Sequence, residues 1–341
     1  MTKGMLTKMN RKPKILVVGS FVMDLIVSTE KFPNSGETVL GCGFQTAPGG
    51  KGANQAVQAA RLGADVTMVG KVGMDSFGDE LIASCKEAGI HTEKILRHPT
   101  LSSAVGNVIL EVTPGQTTKN RIIVVPGANM SIMPKDVVFL KEDISNYDMV
   151  ILQLEIPMKI NELVAQYAYD KNVPVMLNSA PSAPLSDSML SHLTYISPNE
   201  HEAADMTGVA IRRKGKNVDT EDVKKVASIL QNKGVKNVIV TLGNAGAVVV
   251  NAEGYIYAPC IDVVEVKDPT AAGDSFVGAF TTGRCAGMSN RQALDFANYT
   301  ATLTVSRMGA QPSLPTLGEV LELMEQQKYS NGDSTLLAAL K

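Results

Sequence analysis

K-D-P-T-A-A-G-D-S-F-V-G-A-F, from Lys267 to Phe280, is the stretch on which the reading of this chain turns. Asp268-Pro269 ends whatever precedes it, because proline has no N–H and disfavours helix in the residue before it. Small residues follow: Thr270, Ala271, Ala272 and Gly273. After Asp274 the spacing of Phe276, Val277, Ala279 and Phe280 predicts a buried helix. The small residues thus run straight into a helix N-terminus, where several N–H groups lack intrahelical partners and the helix dipole adds partial positive charge. Such a turn is a ready anion site. Asp274 sets a carboxylate beside it. A bound phosphate repels that carboxylate, unless its task is to take a proton from an attacking hydroxyl. The commoner use of such an aspartate is to cap a helix or complement its dipole. This stretch alone leaves both uses open.

A second stretch lies far upstream. Gly49 to Asn54 reads G-G-K-G-A-N and is followed by Q-A-V-Q-A-A-R-L-G. It is not the phosphate-binding P-loop, which needs glycine where Gln45 stands and serine or threonine where Gly52 stands. Gly49 and Gly50 instead let a ligand such as a sugar approach the backbone closely, with Lys51 and Asn54 as donors. The plainer alternative is a glycine turn capping a helix from Ala53. Taken together and in this order, the two stretches resemble the ribokinase family of sugar kinases, the PfkB-type carbohydrate kinases. The resemblance runs from about Lys14 to Glu325.

Composition narrows the field independently. Apolar residues make up 44% and charged residues 19% of 341, enough for a large core. Net charge is −2 with no basic block, which gives no indication of nucleic acid binding. Cys42, Cys85, Cys260 and Cys285 have no C-x-x-C spacing, which argues against zinc or a disulfide framework and fits a reducing cytoplasm. No apolar run reaches membrane-spanning length, and the N-terminus lacks a signal-peptide core.

The first strand, Ile15 to Val18, ends in Gly19 but is not followed by G-x-G-x-x-G, which disfavours a dinucleotide oxidoreductase. Leu25 to Pro48 and Ser103 to Pro126 carry short β alternations around turns, the second with a loop over Thr113 to Asn120. They are expected to pair as one small sheet, a lid inserted in the main domain. Elsewhere strands alternate with helices. Helices are expected at Ala53 to Leu62, Ser76 to Ala88, Lys159 to Lys171, Glu200 to Thr207, Thr220 to Asn232 (capped by Thr220), Asp274 to Ala286, Arg291 to Thr304 and Leu317 to Glu325. Strands fall at Asp65 to Val69, Met149 to Leu154, Val173 to Leu177 and Asn237 to Thr241, with a hairpin at Gly246 to Ala258. This pattern predicts an α/β fold with a mostly parallel central sheet, helices on both faces and ligands at the carboxyl ends of strands. The expected organisation is a single domain over 14–328, with the lid at 25–48 and 103–126 and loose tails at 1–13 and 330–341.

The resemblance adds roles to these positions. It implies a ribokinase-like fold and ATP-dependent phosphorylation of the primary hydroxyl of a pentose, ribose first. Asp274 would be the base, and the N–H groups of Ala271, Ala272 and Gly273 would stabilise the transferring phosphoryl. The sugar would meet Asp24, Gly50, Lys51, Gly52, Ala53, Asn54 and Glu155. An ionised aspartate after the first strand is a natural diol clamp, though a turn aspartate would look the same. Asn199 and Glu202, three apart on one helix face, would lie near Mg²⁺ and the phosphates, Glu202 through water. His201 is expected to point elsewhere. Thr241, Leu242, Gly243, Asn244, Ala245 and Gly246 would lie under the nucleotide, with Gly273 and Asp274 at its phosphates and Asn298 at adenine. A monovalent cation, K⁺, would be held by Asp268, Ser313 and the carbonyls of Thr270, Thr304, Arg307 and Gly309. Relatives of this type join two lids into a homodimer. Two residues before Asp24, where ribose-specific relatives often have asparagine, stands Val22, which cannot bond a hydroxyl. Other acceptors (2-deoxyribose, fructose or a nucleoside) therefore remain open. So does a sugar-binding regulator without catalysis, which would have no need of Asp274.

Overall fold

The computed structural model describes residues 11–112, 119–330 and 340. The rest of the expected tails and of the loop over Thr113 to Asn120 lies outside the described residues. Arg11 is not loose: its guanidinium donates to both Asp148 carboxylate oxygens at 2.8 Å. Leu340, expected in the second tail, is buried in the core.

Nine strands form the central sheet, in the order Gly254–Ala258, Ala247–Asn251, Asn237–Thr241, Tyr195–Ser197, Val175–Asn178, Met149–Leu152, Lys14–Val18, Asp65–Gly73, Ile95–His98. All run in one direction except Ala247–Asn251, which pairs antiparallel with both of its neighbours. The run I-L-V-V shows why both faces are covered. Ile15 and Val17 pack into one core with the helices Lys51–Arg61, Ala272–Cys285 and Asn290–Val305. Leu16 and Val18 pack into the opposite core with Met158–Asp170 and Thr220–Asn232. Strands of a parallel sheet buried on both faces read as near-continuous apolar runs.

The two expected lid segments meet in a separate four-stranded sheet, Gly41–Gly49, Val22–Thr29, Val105–Glu111, Lys119–Val125. Its outer pairs are antiparallel hairpins, and its central pair is parallel. The second strand starts at Val22 rather than Leu25, so Asp24 is a strand residue and not a turn residue.

Several boundaries differ from expectation for local reasons. The first long helix begins at Lys51, not Ala53, so Lys51 and Gly52 are its first residues. Asp219, not Thr220, caps the helix Thr220–Asn232; its carboxylate accepts the Glu221 and Asp222 N–H groups. The Met149–Leu152 strand stops early, because Leu154 N–H turns to Ala180 O at 3.0 Å and Gln153 O accepts from Asn161. Glu155 therefore stands in the loop beyond the strand. The strands Ile95–His98 and Tyr195–Ser197 and the small hairpin of Arg213–Lys214 with Asn217–Val218 were not expected.

Candidate active site

The helix Ala272–Cys285 opens from Ala271, which lies in the left-handed region at φ 60°. A non-glycine residue there is strained, and such strain persists only where its surroundings hold it. Ala272 N–H closes the turn onto Pro269 O at 3.2 Å, so it is not the free donor expected of it. The Ala271 and Gly273 N–H groups make no hydrogen bond within the described residues, and both residues line the cleft described below. Asp274 is only 6% exposed. It does not cap its helix, because both carboxylate oxygens are held from another element. Asn54 Nδ2 donates to Oδ2 and Gln55 Nε2 to Oδ1, each at 2.9 Å. The Lys51 ammonium, one turn earlier on that helix, has its pKa raised, first by Asp274 and then by Glu155 and Glu202, against burial.

Asp24 sits between two glycines. A Cβ on Gly49 would stand 2.9 Å from Asp24 Oδ2, and one on Gly106 would stand 2.4 Å from Oδ1. Burial, then the neighbouring Glu155 carboxylate, push the Asp24 pKa up to about 6. Glu155 Oε2 accepts from Ser20 Oγ at 2.5 Å and from Lys51 N–H at 3.0 Å. Asp24, Glu155, Lys51, Asn54 and Asp274 thus form one polar cluster, and Asn54 Oδ1 is buried in it without a partner. Gly50 and Gly52 of G-G-K-G make room for the protein's own backbone. A Cβ on Gly50, at φ 92°, would meet Val22 N at 2.6 Å, and one on Gly52 would meet Ser20 N at 2.5 Å. Gly52 N–H donates to Ser20 Oγ, and Ala53 N–H to Ser20 O. Gly52 and Ala53 are buried, and their N–H groups hold the Ser20 loop.

Beside this cluster a cleft of about 660 Å³ runs along the carboxyl ends of the strands. Lys51, Gly273 and Asp274 are among the residues that line it. Asn199, Glu202, Thr241, Gly243, Asn244, Gly246 and Asn298 line its walls. Leu242 and Ala245 do not. Their side chains are 0% and 1% exposed and pack into the core beneath. His201, expected to point elsewhere, is exposed and also lines the cleft. Asn199 precedes its helix instead of lying on its face. Its side chain accepts Glu202 N–H, and Glu202 accepts Asn199 N–H, a reciprocal cap. Glu202 also accepts from Ser179 Oγ at 3.2 Å. Asn298 Nδ2 is spent on Ala258 O and Pro259 O.

Asp268 ties the two loops expected around a cation. Its Oδ1 accepts from Thr270 N–H and Oγ1, and its Oδ2 accepts from Gly309 N–H at 2.9 Å. Thr304 O accepts Arg307 N–H, and Ser313 Oγ donates to Ala310 O. Among the described residues no three His, Cys, Asp or Glu side chains gather into a metal cage.

Five residues of the site carried no local signal. Gly106 makes room for Asp24. Ser20 bridges Glu155 and Gly52. Asn129, fully buried, grips Phe21 from both sides, accepting its N–H at 3.1 Å and donating to its carbonyl at 2.7 Å. Asn178 lines the cleft with its Oδ1 buried and unpartnered, as does Ser197 with its Oγ. Each acts through a contact distant in sequence, which single-chain periodicity does not report.

One cleft thus brings together the Ala271 and Gly273 N–H groups, unbonded among the described residues, and a buried carboxylate, Asp274, held from a neighbouring helix. That is the constellation of a phosphotransferase acting on a small molecule. The model of the pfkB family carbohydrate kinases matches residues 12–317, and the chain belongs to that family. It is 39% identical over 313 residues to the ribokinase of Schizosaccharomyces pombe, covering 90% of this chain and 96% of that protein. It is 38% identical over 310 residues to the ribokinase of Bacillus subtilis, covering 91% and 99%. Among solved structures, Arabidopsis thaliana ribokinase complexed with ribose and ATP matches with a TM-score of 0.83 at 32% identity, covering 92% of this chain and 99% of that one.

Proposed function

We propose that this chain transfers the terminal phosphoryl group of ATP to the 5-hydroxyl of D-ribose, giving D-ribose 5-phosphate. The observation that carries the reading is Asp274: buried, not spent on capping, and held by Asn54 and Gln55 where the polar cluster meets the cleft. Asp24, Glu155, Lys51 and Asn54 hold the sugar hydroxyls, and Asp274 takes the proton of the attacking one. The Ala271 and Gly273 N–H groups receive charge that grows on the transferring phosphoryl. Positioning and electrostatics supply most of the rate in such transfers.

Two ions belong to this reading. Mg²⁺ bound with the nucleotide would supply positive charge to offset that of the phosphates. The unpartnered Asn178 Oδ1 and Ser197 Oγ suit the water shell of such an ion, with Glu202 reaching it through water. K⁺ would be held by Asp268, Ser313 and the Thr270, Thr304, Arg307 and Gly309 carbonyls, an all-oxygen set, and would stiffen the loop behind Ala271. The lid leaves Leu40, Phe44, Ile122 and Ile123 more than half exposed, a surface that a second copy would cover. Four free cysteines fit a cytoplasmic setting. Among the described residues no helix is long and apolar enough to cross a membrane.

The test is ADP release across a panel of pentoses, hexoses and nucleosides, with the phosphate position read by NMR. Ribose phosphorylated at the 5-position is the expected result. A nucleoside preferred over every free sugar, or sugar binding without transfer, would overturn it.

A further inference from the structure

Behind Asp274 runs a line of buried amides. Gln55 Nε2 donates to Asp274 Oδ1 at 2.9 Å, and Gln153 Nε2 donates to Gln55 Oε1 at 2.7 Å. Asn161 Nδ2 donates to the Gln153 carbonyl at 2.8 Å. Gln55, Gln153 and Asn161 are all 0% exposed. An ionised carboxylate only accepts. Gln55 must therefore turn its NH₂ toward Asp274, which turns its Oε1 toward Gln153, and that oxygen needs a donor. The charge at the end of the line sets the direction of both side-chain bonds in it, whereas the Asn161 bond goes to the Gln153 main-chain carbonyl.

Gln153 meets this requirement at a cost to itself. Its own Oε1 is buried without a partner. Gly19 leaves space there, since a Cβ on it would stand 2.0 Å from that oxygen. An unpaired buried acceptor destabilises a fold, so folding alone does not select this arrangement. Without the Gln153 donor, Gln55 could rotate and set Oε1 against Asp274 Oδ1, acceptor to acceptor. The charged group facing Asp274 from the packed helix is Lys51, whose other charged neighbours are Glu155 and Glu202.

We infer that Gln153 is a positioning residue for phosphoryl transfer: it locks the Gln55 amide in the orientation that donates to Asp274. The inference rests on the reading of Asp274 as the base. Gln153 touches neither sugar nor nucleotide in this account, so its loss affects turnover and not binding.

Gln153→Met keeps the bulk and removes the donor. Expected are a kcat lower by about tenfold or more, the scale of one hydrogen bond to a charged group, and sugar and ATP KM values close to wild type. The acid limb of kcat should move to higher pH, because a carboxylate that loses a donor to its charged form becomes more basic. Gln153→Glu restores a donor only while its buried carboxyl is protonated, so its kcat relative to wild type should rise as pH falls. A Gln153→Met enzyme with wild-type kcat and an unshifted acid limb overturns the inference. If that variant does not fold, Gln153→Glu decides: a ratio to wild type that is constant with pH overturns it. Asp274→Asn, assayed alongside, separates the two claims. An active Asp274→Asn removes the base itself, whereas an inactive Asp274→Asn with an unaffected Gln153→Met removes only the positioning role.

Discussion

Asn54 and Asp274, 220 residues apart in the chain, are joined by a 2.9 Å amide–carboxylate hydrogen bond. The bond couples the N-terminal ends of two helices that pack against each other, and it welds the two sequence stretches that single this chain out. It leaves Asn54 Oδ1 buried and without a hydrogen-bond partner among the described residues.

The Asp24 carboxyl, raised from the ordinary 3.8 to about 6 by burial and then by Glu155, predicts an acid limit on sugar binding. The clamp requires the ionised form. Sugar KM should therefore climb as pH falls through about 6, while ATP KM stays flat. The stability sign follows from linkage. Between about pH 4 and 6 the folded state holds a proton that the unfolded state has lost, so stability falls as pH rises through that window. Asp24→Asn should abolish the pH dependence of sugar KM and, without sugar, melt higher than wild type at pH 8. A wild-type sugar KM that is unchanged from pH 8 to 5 would contradict this.

Asp268 bridges Thr270 and Gly309, which predicts activation by K⁺. Desalted enzyme assayed in K⁺ should turn over severalfold faster than in a bulky organic cation. Asp268→Asn should flatten that difference. Equal wild-type rates in both salts would remove the cation.

These residues also show what sequence could and could not disclose. The bounds of the helix Glu200–Thr207 were legible, with Gly208 in the left-handed conformation ending it, but the reciprocal cap by which Asn199 starts it was not, since Asn199 was expected on the helix face. The lid was legible because its β alternation differs from the continuous apolar strands of the main sheet. The start of the Lys51–Arg61 helix was not. Glycine is a poor helix former, and Gly52 reads as a turn until the Ser20 backbone is seen pressed against it. Tyr195–Ser197 is three residues long, too short for any period, and exists as a strand only through its neighbours. Gly106, Asn129 and Gln153 matter through partners far away in sequence, so propensity and spacing say nothing of them.

Val22 and Asp24 share one face of their strand, and both approach Gly106. An apolar wall here predicts relaxed demand for the sugar 2-hydroxyl, because an apolar site rejects an added hydroxyl by only ~10² whereas a hydrogen-bonding site rejects its absence by ~10⁴ or more. Expected are measurable kcat/KM for 2-deoxyribose and a shift toward ribose in Val22→Asn. If wild type ignores deoxyribose and Val22→Asn leaves the ratio unchanged, Val22 does not read that position.

Phe44 and Ile123, 70% and 65% exposed on opposite outer strands of the lid, predict a dimer closed through that sheet. Light scattering should give twice the chain mass, and Phe44→Glu with Ile123→Glu should give one. A wild-type monomer at working concentration would contradict this.

The central claim is that Asp274 removes the proton from the attacking hydroxyl. Asp274→Asn keeps the size of the side chain and most of its packing while removing the base. The decisive measurement is single-turnover phosphoryl transfer by this variant, with ribose and ATP affinities measured by calorimetry on the same sample. The account predicts a rate lower by about 10²–10⁴ with both ligands still bound. A variant that transfers phosphate at close to the wild-type rate would show that Asp274 is not the base.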